Sequence, residues 1–350
     1  VRLSALTENL RPSLDIYADV ILHPAFKPGE VELKKKQLLS DIEAEKNHPT
    51  QSAMRILPSI LYGESHAYSN PFTGTGYERT VSAFTRESAA AWHRAWFHPN
   101  NATLIVTGDT TLEKVKPELE RAFGSWARGE APKKKLDTVP ATRGKRVYLI
   151  DRPDAPQSVI VAAHVSELGG RPNDVAIDTV LRGFGGMATS RLNRNLRLDK
   201  HWSYGVIGGL TEARGQRPFT ITAPVQTDKT KEAIVELQKE LRDIAGARPV
   251  KGEEYESIMR SSTARLPGRF ETLRALEVAA IQMLNYGYAD DYWSSYAKNV
   301  RALGEADLDT AAKASIHPDE VVWIVVGDLK KIEPGIRELN LGEVVRVEAR

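Results

Sequence analysis

Apolar residues along the chain follow two rhythms. In "DKTKEAIVELQKELRDIA" (228–245), Ala233, Ile234, Leu237, Leu241 and Ile244 recur three or four residues apart. That spacing puts them on one helix face. "DVAIDTVLRGF" (174–184) and "TSRLNRNLR" (189–197) also read as helices. By contrast "VYLIDRP" (147–153), "QSVIVAAHV" (157–165), "SYGVIGGL" (203–210) and "RPFTITAPV" (217–225) are short, β-branched and apolar, and predict strands. Strands come in runs, mixed with helices that do not alternate with them one for one. This pattern predicts an α+β fold rather than a doubly wound sheet.

The same order of elements is written twice. "HPNNATLIVTGD" runs from His98 to Asp109 and "HPDEVVWIVVGD" from His317 to Asp328, an offset of 219. "ILYG" ends at Gly63 and "LNYG" at Gly287, while "FKPGEVE" (26–32) resembles "RPVKGEEYE" (248–256). Each copy predicts a helix, a Pro/Gly turn, a helix beginning near Glu, a helix ending in Tyr-Gly, a short helix, His-Pro and a strand ending in Gly-Asp. A closing amphipathic helix follows, "TLEKVKPELERAF" (111–123) and "KKIEPGIREL" (330–339). A period this long marks a duplicated domain rather than a solenoid. "ARGEAPKKKLDTVPATRGKR" (127–146) is polar, punctuated by Pro and Gly, and lacks an apolar period. We therefore expect a first domain at 1–128, a linker at 129–144 and a second domain at 145–350. Val1 has no Met before it, and "VRLSAL" reads as a strand already under way. The repeat offset puts about 75 to 80 residues of the first copy outside this chain, so the first domain is expected to be N-terminally truncated.

Composition narrows the function classes. The 350 residues are 41% hydrophobic and 27% charged, ordinary for soluble globular proteins. Net charge is +2 from 48 basic and 46 acidic residues, which gives no case for a dedicated nucleic-acid or membrane-surface protein. The chain has no Cys, which excludes disulfides, thiolate ligands and a Cys nucleophile. It contains no H-x-x-E-H or H-E-x-x-H, so no helix presents two His one turn apart for zinc. His23, His48, His98 and His317 each precede Pro and read as turn positions. "GFGG" (183–186) lacks the Lys-Ser/Thr of a phosphate loop and reads as a tight turn between helices. G-x-S-x-G is absent.

Two segments carry candidate chemistry. On the helix predicted at 30–46, Lys34 and Asp41 are seven apart and share a face, which fits a solvated Lys/Asp surface. In "LRLDKHWSYGV" (196–206), Arg197 falls in the last turn of a helix and Tyr204 at the start of a strand. A guanidinium and a phenol placed together can donate to peptide carbonyls or to a developing oxyanion. Alternatively, Arg197 satisfies helix C-terminal carbonyls and Tyr204 packs its ring at a sheet edge.

Five segments together resemble the pitrilysin/insulinase family of zinc metallopeptidases, which includes mitochondrial processing peptidase and the core proteins of the bc1 complex. They are "SALTENLRPSLDIYADVILHPAF", "LKKKQLLSDIEAEKNHP", "FHPNNATLIVTGD", "GGMATSRLNRNLRLDKHWSYGV" and "VWIVVGDLKKI". The resemblance spans the chain and is strongest to the C-terminal half of long bacterial members. It implies two homologous domains, each a mainly antiparallel sheet packed with helices, and two halves closing on a peptide. It also implies that one half carries zinc on H-x-x-E-H, while the other contributes an Arg and a Tyr. Those two match Arg197 and Tyr204, and Gly185 and Gly186 match a turn near the substrate. Asp41 falls where a third zinc ligand, a Glu, would sit, and Lys34 where a supporting Glu would. Asp is shorter by a methylene and Lys repels the cation, so we expect no metal on this chain.

The resemblance thus implies the substrate-binding, non-zinc half of a metalloendopeptidase, inactive alone. Its partners would be an H-x-x-E-H half holding the zinc and a peptide substrate, in the periplasm. The alternative is a non-catalytic assembly subunit like the bc1 core proteins.

Overall fold

The computed structural model describes residues 1–141, 146–169 and 173–348. The last three residues of the expected linker, 142–144, lie outside the described residues, as do Lys145 and residues 349–350 of the expected second domain.

In chain order, the first copy contributes α1 (Leu10–Leu22), α2 (Pro28–Asn47), α3 (Pro49–Tyr62), α4 (Glu78–Ser82), α5 (Arg86–Trp96) and α6 (Leu112–Phe123). The second opens with β1 (Arg146–Asp151), β2 (Gln157–Leu168), α7 (Asp174–Gly185), the short α8 (Arg191–Asn193), β3 (Ile207–Leu210) and β4 (Gln216–Gln226). It continues through α9 (Thr230–Arg242), α10 (Gly252–Ala264), α11 (Leu273–Tyr286), α12 (Tyr292–Arg301) and α13 (Glu305–Ser315). It ends with β5 (Val322–Gly327), α14 (Leu329–Glu338) and β6 (Glu343–Arg346). No helix among the described residues is long and apolar enough to cross a membrane.

Local chemistry explains the repeated boundaries. Gly63 follows α3 at φ 81° and Gly287 follows α11 at φ 70°. Both are left-handed positions that favour glycine after a helix. α5 opens with a capping box of Thr85 and Ser88, and at the start of α13 the Gly304 N–H donates to the Asp307 carboxylate at 2.7 Å. Asp328 caps α14, its carboxylate accepting from the Lys330 N–H and paired with Lys331 at 2.9 Å. The hydrogen bond from Lys331 lowers the Asp328 pKa. The doubled His-Pro residues therefore open turns, and in the second Gly-Asp the Asp328 is a cap residue. In the first copy Asn100 plays a similar part. Its amide donates to the Gly129 carbonyl at 2.8 Å and accepts from the Gly129 N–H at 3.2 Å. A Cβ on Gly129 would lie 2.4 Å from the His98 ring, so a side chain there requires that ring to move.

The described residues form two compact units that do not run consecutively along the chain. One comprises residues 1–41, 78–135 and 270–281, and the other residues 42–77, 136–269 and 282–350. In the first, α1 packs on α6, with Tyr17 edge-on to Phe123 at 6.1 Å and Arg121 paired with Asp15 at 2.6 Å. This unit contains no strand among the described residues. Residues 1–6, expected as a strand, are not one, and the strand expected to end at Gly108-Asp109 is unpaired. A strand needs a neighbour to satisfy its backbone. In the second copy that neighbour is provided by β1 and β2, and the given sequence contains no first-copy counterpart of either.

The second unit holds a six-stranded sheet in the order β3-β4-β2-β5-β1-β6. β2 pairs antiparallel with β4 and β5, and β3 antiparallel with β4, while β1 runs parallel to β5 and β6. The expected mainly antiparallel α+β fold is present here. Alternation along the strands divides the sheet into two faces. Val147, Leu149, Ile160, Ala162, Phe219, Ile221, Trp323 and Val325 meet the second-copy helices. The apolar face read from α9 is among them: Ala233, Ile234, Leu237, Leu241 and Ile244 are all buried. Val159, Val161, Ala163, Ile324 and Val326 face the other way, against Ala53, Ile56, Leu57 and Leu61 of α3. A first-copy helix therefore closes the second copy's sheet. Because β5 is covered on both faces, all six of its residues are buried, which matches its unbroken apolar run.

The entry to α3 is locked by a buried ion pair. Arg55, 0% exposed, donates to Glu45 at 2.7 Å, to Thr75 at 3.0 Å and to the Gly76 carbonyl at 2.9 Å. Thr75 also donates to Glu45 at 2.7 Å. No spacing in the sequence singles out this pair.

Candidate functional site

Arg197 and Tyr204 are brought together at the open edge of the sheet. α8 runs into a π-helical turn at Arg194–Asp199, a geometry that recurs at functional sites. The turn is tied down on its inner side. Asn195 donates to Glu236 at 2.9 Å and Glu240 at 2.8 Å, both on α9, while Lys200 donates to Asn195 at 2.8 Å. The outer side carries Arg197, half-buried. His201 then takes a left-handed conformation, φ 56°, and its ring contacts the Arg197 carbonyl at 3.1 Å. The Trp202 N–H closes back onto the Leu196 carbonyl at 2.9 Å.

The loop that follows is held from two directions. Asn193, buried, clamps Val206. Its amide donates to the Val206 carbonyl at 2.8 Å and its oxygen accepts from the Val206 N–H at 2.9 Å. Ser203, also buried, donates to the Pro224 carbonyl on β4 at 2.6 Å. Between these anchors Tyr204 projects outward, 88% exposed. The Arg197 guanidinium lies 5.5 Å from its ring centroid, a cation–π contact. The Tyr204 ring is not packed at the sheet edge, so the packing alternative for this residue does not hold. Next to it is the edge strand β3, with Ile207 75% exposed. The arrangement presents two hydrogen-bond donors and an extended edge on a rigid base. Asn193 and Ser203 were missed by sequence reasoning, since their partners lie 13 and 21 residues away.

Gly185 and Gly186 are not placed on that surface together. Gly185 is buried at the end of α7, where an added Cβ would be 2.6 Å from the Gly208 backbone. Its absent side chain lets α7 lie directly on β3. Gly186 is exposed, and its N–H is bonded to the Arg182 carbonyl at 3.0 Å. The pair ends a helix, as expected of a tight turn, and has no helix N-terminus to cradle a phosphate.

Among the described residues, Lys34 and Asp41 do not fit a zinc site. Lys34 and Asp41 are both exposed on α2, and Lys34 donates to Gln37 at 3.0 Å. Among the described residues only His164, His317 and Glu320 cluster at ligand spacing. The His164 Nε2 lone pair is already engaged. The buried His164 contacts the Val165 carbonyl at 3.2 Å and accepts from the His317 N–H at 3.2 Å. His317 contacts Glu320 at 3.3 Å and the Ala314 carbonyl at 3.2 Å. These contacts make His164 a satisfied core histidine.

Burial pushes the His164 pKa down from 6.5 to about 3. Between those values the unfolded chain takes up a proton that the folded chain refuses. Stability of the sheet unit should therefore be level above about pH 6.5 and fall with acidification, by up to about 1.4 kcal/mol per pH unit. Urea unfolding at pH 7, 6 and 5 checks this. A His164→Asn variant showing the same slope would remove His164 as its source.

Comparison with known proteins gives the family. The family model described as the Peptidase M16 inactive domain matches residues 83–261. An uncharacterized zinc protease of Rickettsia bellii is 24% identical over 72% of this chain and 59% of its own length. One from Mycobacterium leprae is 22% identical over 69% of this chain and 54% of its own. The chain thus spans little more than half the length of these curated relatives. Among solved structures, the peptidase M16 inactive domain from Pseudomonas fluorescens superposes with a TM-score of 0.83 at 18% identity, covering 92% of this chain and 75% of that one. The first half of the periplasmic protease PqqL from Escherichia coli gives 0.72 at 14% identity, over 95% and 73%. A chain of Complex III2 from Candida albicans gives 0.75 at 14% identity, over 96% and 81%. The matched segment takes in the whole of the Arg197–Tyr204 turn, and the pitrilysin/insulinase resemblance holds: the chain belongs to the M16 peptidase family, through its inactive domain.

Proposed function

We propose that this chain is the substrate-binding, non-zinc half of a zinc metalloendopeptidase. The observation that carries the reading is the Arg197–Tyr204 pair, whose side chains are held beside a free strand edge and directed at solvent. In the proposed complex an extended peptide adds to the edge of β3, so that main-chain hydrogen bonds supply sequence-tolerant affinity. The Arg197 guanidinium donates to a peptide carbonyl. The Tyr204 hydroxyl donates to the oxygen on which charge develops as the adjoining bond is attacked. Asn193 and Ser203 anchor the loop that carries the phenol, which limits the backbone reorganisation needed when the substrate arrives. Cleavage belongs to a partner half that carries H-x-x-E-H. A periplasmic setting is proposed on the likeness to PqqL.

The test is reconstitution. The chain alone should hold no stoichiometric zinc by atomic absorption and leave a quenched fluorescent peptide intact, whereas mixing with an H-x-x-E-H half should start cleavage. One tightly held zinc per chain would overturn the assignment. The second reading, a non-catalytic assembly subunit, has the Complex III2 likeness in its favour and predicts that the mixture stays inactive.

A further inference from the structure

Beside the free edge of β3 is a small cavity whose chemistry the Arg197–Tyr204 pair does not use. It has a volume of about 220 Å³ and is lined by Arg182 of α7 and by Gly208, Gly209 and Leu210 of β3. α7 lies directly on β3 at Gly185 and Gly208, so the cavity belongs to the helix-covered face of the sheet. Its volume is below the about 300–1,000 Å³ of a small-molecule site. It suits a single side chain.

Among the described residues, its charged groups are Asp174, Asp178, Glu212, Arg182, Arg217 and Arg265. The two signs are equal in number, but their partners differ in kind. Two of the carboxylates accept from neutral phenols. The Tyr296 hydroxyl donates to Asp178 at 2.6 Å and the Tyr288 hydroxyl to Glu212 at 3.1 Å. Arg265 also reaches Asp178, at 3.3 Å. The buried Arg217 is paired with Asp174 at 2.9 Å and lies 3.7 Å from Glu212. Arg182 is left over. Its Nε donates to the Ser261 hydroxyl at 3.0 Å, and no carboxylate among the described residues forms an ion pair with it. Burial, and after it the neighbouring Arg265, lowers the Arg182 pKa, while Asp178 and Tyr296 oppose the shift. A half-buried cation with unused donors is stabilised by an anionic guest. A basic guest would instead have to displace a phenol or a guanidinium from a carboxylate that already accepts from it.

A strand added to β3 brings such a guest within reach. Side chains of an extended chain alternate between the two faces of a sheet. Leu210 packs against the helix-side core, and every second residue of an added strand stands on that same side. We infer, on the proposed addition of a peptide to β3, that this cavity is a specificity pocket for an acidic side chain, Asp or Glu, of the extended peptide, with Arg182 selecting the carboxylate. Gly208–Leu210 lie four to six residues beyond Tyr204. That is about 13–20 Å along an extended chain, so the acidic residue is read several positions away from the bond under attack.

The test measures peptide binding to the whole chain by fluorescence anisotropy, which needs no zinc half. The probes are labelled, C-terminally amidated peptides of Val and Ser with one central Glu, Gln or Lys, free to slide until that residue reaches the cavity. The Glu peptide should bind about 10-fold or more tightly than the Gln peptide, the range for a charge-assisted hydrogen bond. In Arg182→Gln that preference should disappear, with unchanged binding of the Gln peptide showing that the variant is folded. In Arg182→Glu the Lys peptide should become the tightest. Equal binding of the Glu and Gln peptides to the parent chain overturns the inference and leaves the addition of a peptide to β3 standing. So does a preference of the parent for Lys. A gain from a free C-terminus in place of the amide, with no gain from Glu, assigns the cavity to a terminal carboxylate and overturns the side-chain reading. Absence of binding by every peptide overturns the addition to β3 itself, and the pocket with it.

Discussion

Tyr204→Phe is expected to lower peptide cleavage by the reconstituted enzyme about 100- to 1000-fold, the usual loss for one donor to a developing oxyanion, and Arg197→Ala to weaken peptide binding. Thermal unfolding should not move. Tyr204 is 88% exposed, and the pair's contact with each other is a cation–π approach at 5.5 Å. Such a contact at an exposed site contributes only about 0.5–1 kcal/mol. The two variants separate binding from chemistry. Arg197, if it holds a carbonyl throughout, should raise KM at nearly constant kcat. Tyr204, if its donor acts only as charge develops, should lower kcat at nearly constant KM. Steady-state kinetics on a quenched fluorescent peptide checks both. Cleavage within threefold of the parent for the double variant would mean that the pair is not the substrate clamp.

Arg55→Ala should give the largest loss of stability of any single change considered. It leaves Glu45, which is 8% exposed, as a buried carboxylate without its guanidinium partner, and it removes the donor to the Gly76 carbonyl. Breaking a buried pair from one side costs about 3–5 kcal/mol. For a unit of this size that corresponds to a fall in Tm of about 10 °C. The double change Arg55→Met with Glu45→Gln should recover a good part, because neither side then retains an unpaired charge. Circular dichroism melts decide the matter. A shift under about 2 °C for Arg55→Ala would show that water replaces the lost partner and that the pair is not effectively buried.

Much of the second unit was legible because its signals are local. The spacing of Ala233, Ile234, Leu237, Leu241 and Ile244 needs only one helix to interpret, and all five are buried. Gly63 and Gly287 mark helix ends through a backbone angle that other residues avoid. The strands at 147–153, 157–165 and 217–225 are found where β-branched apolar runs predicted them. The strand expected at 102–107 is absent as a strand for the complementary reason. Its side chains are those of a strand, but strand structure is a property of pairs, and its partners are not among the described residues.

The candidate site divides along the same line. By itself the sequence determined the repeat, the α+β class, the ends of the helices and the nearness of Arg197 to Tyr204 along the chain, because each depends on residues within a few positions of one another. Only the tertiary structure decided that α3 crosses to cover the second copy's sheet, that Gly185 is a packing contact against Gly208, and that Arg55 is buried on Glu45. It also decided that Asn193 and Ser203 anchor the loop that presents Tyr204. Those pairings join side chains whose spacing has no period and whose residue types are common on any surface. What selects them is burial, which leaves a polar group no alternative partner, and burial is settled only when distant segments have packed.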